Sequence, residues 1–364
     1  MCSADKTVVV GMSGGVDSSV AAWLLKEQGY NVIGITMHIW QDEASDKIAA
    51  ENGCCGLSAV EDARRVSEII GIPHYVMDFR GEFRERVIDY FTDEYIHGRT
   101  PNPCIACNRY VKWGALLKRA GQLGANYIAT GHYAGVDRLA NGRYSVIRSE
   151  SKKDQTYALY SLTQEQLEHT LMPLGGYEKP AVRELAKKAG LPVSDKRDSQ
   201  EICFIPDHDH ASFIEKERGK DAAVPGNFVT ADGKVLGRHK GIIHYTIGQR
   251  RGLNLPMGQH IYVTGIRPET NEVVLGYGDE VFSEKLRGDG LNLMAVSDGD
   301  FPVGSSRRLW GKIRYRHEGE WCSVTRTGED SLEAVFERPV RAVTPGQAAV
   351  FYDEDHIFAG GTII

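Results

Sequence analysis

The spacing of apolar residues changes character near Pro206 and splits the chain in two. Before that point it alternates between strand and helix periods. Thr7–Val10 is a short β-branched run that predicts a first strand. Val20, Ala21, Leu24 and Leu25 mark one face of a helix over Val20–Gln28, with Gly29 placed to cap it. Asn31–Met37 predicts a second strand, Val60–Ile70 an amphipathic helix stopped by Gly71, and His74–Met77 a third strand. Helices follow over Phe83–Ile96 and Val111–Leu123, then a fourth strand over Tyr127–Thr130. This alternation predicts an α/β domain with a parallel sheet covered on both faces, its ligands at the C-terminal strand ends.

After Pro206 the helical period gives way to segments punctuated by Pro225-Gly226, Asp232-Gly233, Gly237, Gly241 and Gly248. From about Ser283 short alternating runs dominate. Leu309–Tyr315, Trp321–Thr325, Leu332–Phe336, Gln347–Tyr352 and His356–Ala359 predict strands of a small antiparallel barrel or sandwich. The 364 residues exceed one ordinary core. The expected domains are 1–208 (α/β), 209–282 (small, central) and 283–364 (β).

The composition, 41% hydrophobic and 25% charged, is that of a soluble globular protein, and no apolar run approaches membrane length. Met1–Lys6 leads into the first strand with neither an apolar signal nor an Arg/Ser-rich transit stretch, so a cytoplasmic location without a membrane partner is expected. Seven cysteines, an odd number, argue against a disulfide framework and leave the thiols as fillers or as chemistry.

The net charge of -6 disfavours a nucleic-acid partner, but its distribution reverses that reading. Gly233–Pro268 holds no acid and six bases: Lys234, Arg238, Lys240, Arg250, Arg251 and Arg267. Ser305–His317 again lacks acids and carries Arg307, Arg308, Lys312, Arg314 and Arg316. Phosphate recognition follows such local fields rather than the total.

The first strand runs into Gly11-Met12-Ser13-Gly14-Gly15-Val16-Asp17-Ser18 and then a helix. Glycines let backbone amides approach an anion, and the helix start adds its positive end. Ser13 and Ser18 are candidate hydroxyl donors to phosphate. Asp17 cannot serve an anion directly and is expected to act through a metal ion. No Gly-Lys-Ser/Thr follows, so the loop is not that of nucleotide-hydrolysing P-loops.

A second cluster, Thr100-Pro101-Asn102-Pro103-Cys104-Ile105-Ala106-Cys107, places two thiols at i and i+3 after a rigid, non-helical approach. A third thiol, Cys203, lies in Asp198–Ile205. Four ligands for structural zinc are not apparent. Persulfide transfer, in which one thiol carries sulfur and another attacks it, fits the set. So do three ligands of a 4Fe-4S cluster with one iron open, Cys104, Cys107 and Cys203, and both schemes stay open here. Cys54-Cys55 reads as structural, and Cys2 and Cys322 receive no role.

The Gly-rich string resembles the pyrophosphate loop of the N-type ATP pyrophosphatases, whose fold is adenine nucleotide alpha hydrolase-like. The thiol motifs, together with Gly131-His132-Tyr133-Ala134, Ser151–Tyr157, Thr246–Gly252 and Gly311–Arg316, narrow the resemblance to the tRNA 2-thiouridylases over about Lys6 to Ala359. That family thiolates carbon 2 of the wobble uridine in the tRNA anticodon loop, splitting ATP to AMP and pyrophosphate with magnesium. The resemblance implies that Gly11, Met12, Ser13, Gly14, Gly15, Val16, Asp17 and Ser18 hold the ATP phosphates and that Met37 and Gly131 meet the adenosine. It implies Cys203 as the persulfide carrier and Cys107 as its partner nucleophile, forming a disulfide. Asn102, Pro103 and Cys104 would face the target base. His132, Lys153, Asp154, Gln155, Arg314, Tyr315 and Gln347 would contact tRNA. A sulfur-donor protein, a cysteine desulfurase or a relay carrier, is the implied second partner. Cys104 stands where a subset of the family has Asp, so that acid's role does not carry over. Two other readings use the same residues: a small-molecule ligase with this loop, and a non-catalytic tRNA-binding sulfur carrier.

Overall fold

A computed structural model describes residues 6–40, 57–196 and 202–364. Cys2, Cys54, Cys55 and Asp198–Glu201 lie outside them. Contacts divide the chain into two units. The first comprises the chain to Val87, Cys104–His208 and Asp355–Ile357; the second comprises Ile88–Pro103, Asp209–Glu354 and Phe358–Ile364.

In the first unit five parallel strands form one sheet: β1 (Thr7–Gly11), β2 (Asn31–His38), β3 (His74–Asp78), β4 (Tyr127–Ala129) and β7 (Thr170–Leu171), in the order β3-β2-β1-β4-β7. Val8, Val9 and Val10 are fully buried, as a central strand covered on both faces requires. Helix α1 (Val16–Glu27) lays Val20, Ala21, Leu24 and Leu25 into that core, as their spacing predicts. Helices α2 (Leu57–Ile70) and α3 (Lys179–Lys188) both pack against α1. The chain builds β1 to β3 on one side of the sheet and then returns to place β4 on the other side of β1. The order therefore reverses between β1 and β4, where such sheets bind ligands.

Three local differences from expectation have physical causes. Helix α1 begins at Val16 rather than Val20, because polar Asp17-Ser18-Ser19 fill its first turn. The helix expected from Val111 begins at Pro103. Pro103–Ala106 continues through a wider, i→i+5-bonded stretch, Cys107–Leu116, into Leu117–Gln122. Pro103 opens the helix, a position where its missing N–H is no loss. Cys104 and Cys107 thus sit on a helix start, not on a turn. Finally, β5 (Ala134–Arg138) and β6 (Tyr144–Arg148) form an antiparallel hairpin rather than continuing the parallel alternation. His356 pairs with Ile147 of that hairpin.

The second unit holds two β structures. Strands β8 (Gly226–Val229), β9 (Val235–His239), β10 (Tyr262–Arg267) and β11 (Glu272–Gly276) form a sheet in the order β10-β11-β8-β9. Strands β12 (Phe282–Leu293), β13 (Ser306–Lys312), β14 (Glu320–Arg326), β15 (Ser331–Arg341), β16 (Ala348–Asp353) and β17 (His356–Ile363) follow in the order β12-β15-β14-β13-β16-β17. Pairing of β12 with β17 closes them into a barrel. Alternate residues point inward, so Leu309, Val324, Leu332, Phe336 and Phe351 fill its core.

Candidate nucleotide and thiol site

The turn Met12–Gly15 leaves β1 at the point of strand reversal. Gly14 adopts φ +67°, and a Cβ there would meet the Ala59 carbonyl oxygen at 2.2 Å, so only glycine lets the turn lie against α2. The Ser18 hydroxyl accepts the Ser13 amide at 3.2 Å and donates to the Gly15 carbonyl at 3.2 Å. Buried Ser18 therefore shapes the loop, whereas Ser13 is exposed. Thr36 donates to the Met12 carbonyl at 2.8 Å, and Lys196 ties the Gly14 carbonyl (3.0 Å) to Asp62 (2.7 Å). The loop is thus braced from β2, α2 and Lys196 before any anion arrives.

Asp17 has partners the sequence does not suggest. Lys179 donates to both of its carboxylate oxygens at 2.7 and 2.8 Å, and the Tyr133 hydroxyl donates to one of them at 2.7 Å. Asp17 is thus held in an ion pair within the fold. Gly131 meets the same turn: its Cβ would fall 2.6 Å from the Asp17 carbonyl carbon and the Ser18 nitrogen. The turn after β4 is therefore seated directly on the first turn of α1, across the strand reversal. Met37, half-buried, is the penultimate residue of β2 and pairs in register with Met77.

His132 follows Gly131. Its Nδ1 lies 2.7 Å from the Thr130 hydroxyl and its ring packs 5.6 Å from that of Trp113. Burial, with the Lys112 ammonium nearby, holds this imidazole well below its usual pKa and hence neutral. Lys112 donates to Asn108 (2.9 Å), whose amide donates to the Ala158 carbonyl (2.9 Å). This network braces the helix of Cys107, which is half-buried, while Cys104 is exposed. Wide helical stretches of this kind are frequent at functional sites. Cys203 is exposed too, and the next residue, Phe204, stands edge-on to Phe83 at 5.7 Å. The Arg80–Phe83 helix packs in turn on Cys107–Leu116. Among the described residues no three His, Cys, Asp or Glu gather to hold a metal ion. As placed, Cys104, Cys107 and Cys203 do not fit the ligand set of an iron–sulfur cluster. Asp154 and Gln155 face inward: Asp154 accepts from Ser149 and Thr156, and Gln155 accepts the Tyr133 amide at 2.9 Å. Lys153 is exposed.

In the second unit Gln347 donates to the Thr100 carbonyl at 2.7 Å, and the Thr100 amide donates to the Pro345 carbonyl at 2.8 Å. This strap holds the stretch that leads to Asn102 and Pro103. Arg314 donates to the Arg341 carbonyl at 2.6 Å, and Tyr315 is 43% exposed. The two basic stretches differ in kind. Arg307 pairs with Asp353 on the adjacent β16 and Arg308 with Glu337 on β15, one strand beyond β14, which offsets part of that run's charge. Lys234, Arg238, Lys240, Arg250 and Arg251 are exposed, and Arg250 borders a shallow cavity of about 390 Å³ with Asn254, Gln259 and His260.

Sequence reasoning missed Lys179, Lys196, Tyr133 and Lys112. Lys179 had one signal: a cation in the first turn of its own helix, where the helix dipole opposes it.

A phosphate-loop turn at a parallel-sheet reversal, joined to a small β sheet and a closed barrel, defines a nucleotide-binding α/β protein with two β appendages. Family models agree in sequence: residues 6–207 match the tRNA methyl transferase HUP domain, 211–277 the tRNA methyl transferase PRC-barrel domain and 286–363 the aminomethyltransferase beta-barrel domain. A tRNA-specific 2-thiouridylase MnmA of Lachnoclostridium phytofermentans is 58% identical over 99% of this chain and 99% of its own. Proteins of that name from Thermoanaerobacter sp. (55%; 98% and 97%) and Clostridioides difficile (51%; 99% and 98%) are similar too. The chain belongs to the tRNA-specific 2-thiouridylase family.

Proposed function

We propose that the chain activates the 2-carbonyl of the wobble uridine in tRNA with ATP and replaces its oxygen with sulfur. The supporting observation is Gly131 seated on α1 beside the braced glycine turn, in the same unit as Cys107 and Cys203. In this reading residues 1–208 carry the chemistry in the cytoplasm, while 209–282 and 283–364 grip the tRNA. Met37 and Gly131 contact the adenosine. Asn102, Pro103 and Cys104 face the base, and His132, Lys153, Tyr315 and the loops braced by Asp154, Gln155, Arg314 and Gln347 contact the tRNA.

The uracil oxygen attacks the α-phosphorus, the bond to pyrophosphate breaks, and the N3 proton passes to solvent. Loop amides and the positive end of α1 stabilise the departing pyrophosphate. A magnesium ion bound with the nucleotide would supply further charge neutralisation there. A donor persulfide, borne by a cysteine desulfurase or relay protein, passes its outer sulfur to the Cys203 thiolate and leaves as a thiolate. That sulfur adds to carbon 2, and AMP departs with the original oxygen. The Cys107 thiolate then attacks Cys203 Sγ, freeing the thiouridine and forming a Cys107–Cys203 disulfide, which an external dithiol reduces.

Incubation with ATP should release AMP only when tRNA is present; release without tRNA favours a small-molecule ligase. Cys203→Ser should abolish multiple-turnover thiolation and leave tRNA-dependent ATP–pyrophosphate exchange. Loss of both together refutes this division of labour.

A further inference from the structure

We infer that Lys179 is a positioning residue for the phosphate loop: its buried ammonium neutralises Asp17, so that the first turn of α1 presents a net positive end to an anion. The inference rests on the reading that this loop takes the phosphates of ATP. An aspartate in the first turn of a helix stabilises the helix but opposes an incoming phosphate by like charge. Here that charge is answered within the fold. Lys179 is only 8% exposed and donates to both Asp17 oxygens at 2.7 and 2.8 Å. Tyr133 adds a third hydrogen bond at 2.7 Å and presents its ring 5.9 Å from the same ammonium.

Two features argue that this pair serves the loop rather than α3. Lys179 occupies the first turn of its own helix, where the dipole disfavours a cation. Burying a lysine also carries a desolvation cost that surface charges avoid. The partner it reaches lies 162 positions earlier, in the turn on which Gly131 is seated. The lysine that nucleotide-hydrolysing P-loops place within the loop has here a counterpart supplied from a distant helix, acting on the loop's acid and not on the phosphate.

The test titrates the full chain with magnesium-ATP by calorimetry and, separately, with adenosine by displacement of a fluorescent adenosine derivative. Lys179→Met should weaken ATP by at least about tenfold, the effect of one uncompensated charge in a partly buried site, and leave adenosine within about twofold. In the Asp17→Asn background the same substitution should change ATP affinity by less than about threefold, because the charge it answers is gone. Tyr133→Phe, which keeps the packing, should weaken ATP by a few fold and spare adenosine. Parallel loss of both ligands would mean a structural role only. An equal loss in both backgrounds would mean direct phosphate contact. No loss at all overturns the inference as well. Failure of the unaltered protein to bind ATP would instead remove the reading on which it rests.

Discussion

Replacing Gly131 by alanine adds one methyl group where the turn after β4 meets α1. On the present backbone its Cβ would lie 2.6 Å from the Asp17 carbonyl carbon, 2.6 Å from the Ser18 nitrogen and 2.9 Å from the Asp17 Cβ. Ordinary contact begins near 3.4 Å, so the turn and the helix must part by about 0.8 Å. The two nearest atoms belong to backbone, and the helix behind them is fixed by buried Val20, Ala21 and Leu25, so no side chain can swing aside. Overpacking of this kind costs about 1–3 kcal/mol of stability. A displacement near 1 Å at a reacting centre lowers the rate by on the order of a hundredfold. The assay is tRNA-dependent AMP release, paired with a thermal melt. Gly176→Ala is the control, since its Cβ would meet nothing within 4 Å. A Gly131→Ala protein that turns over within about threefold of the parent, with an unchanged melt, would refute the close approach and the role derived from it.

Gly121 lies in the helix Leu117–Gln122 with open space beyond its Cα, so Gly121→Ala should raise stability by up to about 1 kcal/mol in urea unfolding. His317 gives a pH dependence. Burial, then the charges of Arg314 and Lys312, hold its imidazole down to about 4. The unfolded chain binds that proton near 6.5 and so takes it up first as the pH falls. Its contribution is therefore complete above 6.5 and is lost on descending toward 4, by about 1–2 kcal/mol after allowance for partial exposure. Urea midpoints at about pH 7.5 and 4.5 should fall less for His317→Gln than for the parent; an equal fall removes His317 from the account.

Where side chains alternate cleanly, the sequence reveals the fold. Four strands of the parallel sheet and most of the barrel stand within a few residues of expectation, because full burial of Val8–Val10 and one-sided burial along β14 write their periods into the chain, whereas the two-residue β7 is too short to leave a period. Strand β12 was not legible: Ser283-Glu284-Lys285 and two glycines blur its alternation, and what makes it a strand is its pairing with β15 and β17, which lies outside the segment. The β5–β6 hairpin did leave a trace, Asn141-Gly142 with Gly142 at φ +85°, which outranks the expected strand–helix alternation. At the site, the loop and the thiols carry local motifs. Their supports, Lys179, Lys196 and Lys112, act through single contacts across long sequence separations, and no local pattern encodes those. Acidic partners across strands likewise hid the difference between the two basic stretches.

The seam between β12 and β17 bears on how the polypeptide tolerates changes at its tail. Ile363 is fully buried and faces Gly288 across that seam, whereas Ile364 is 59% exposed. Clipping the last handful of residues would unzip a cylinder and bare two strand rims able to recruit neighbouring molecules into aggregates.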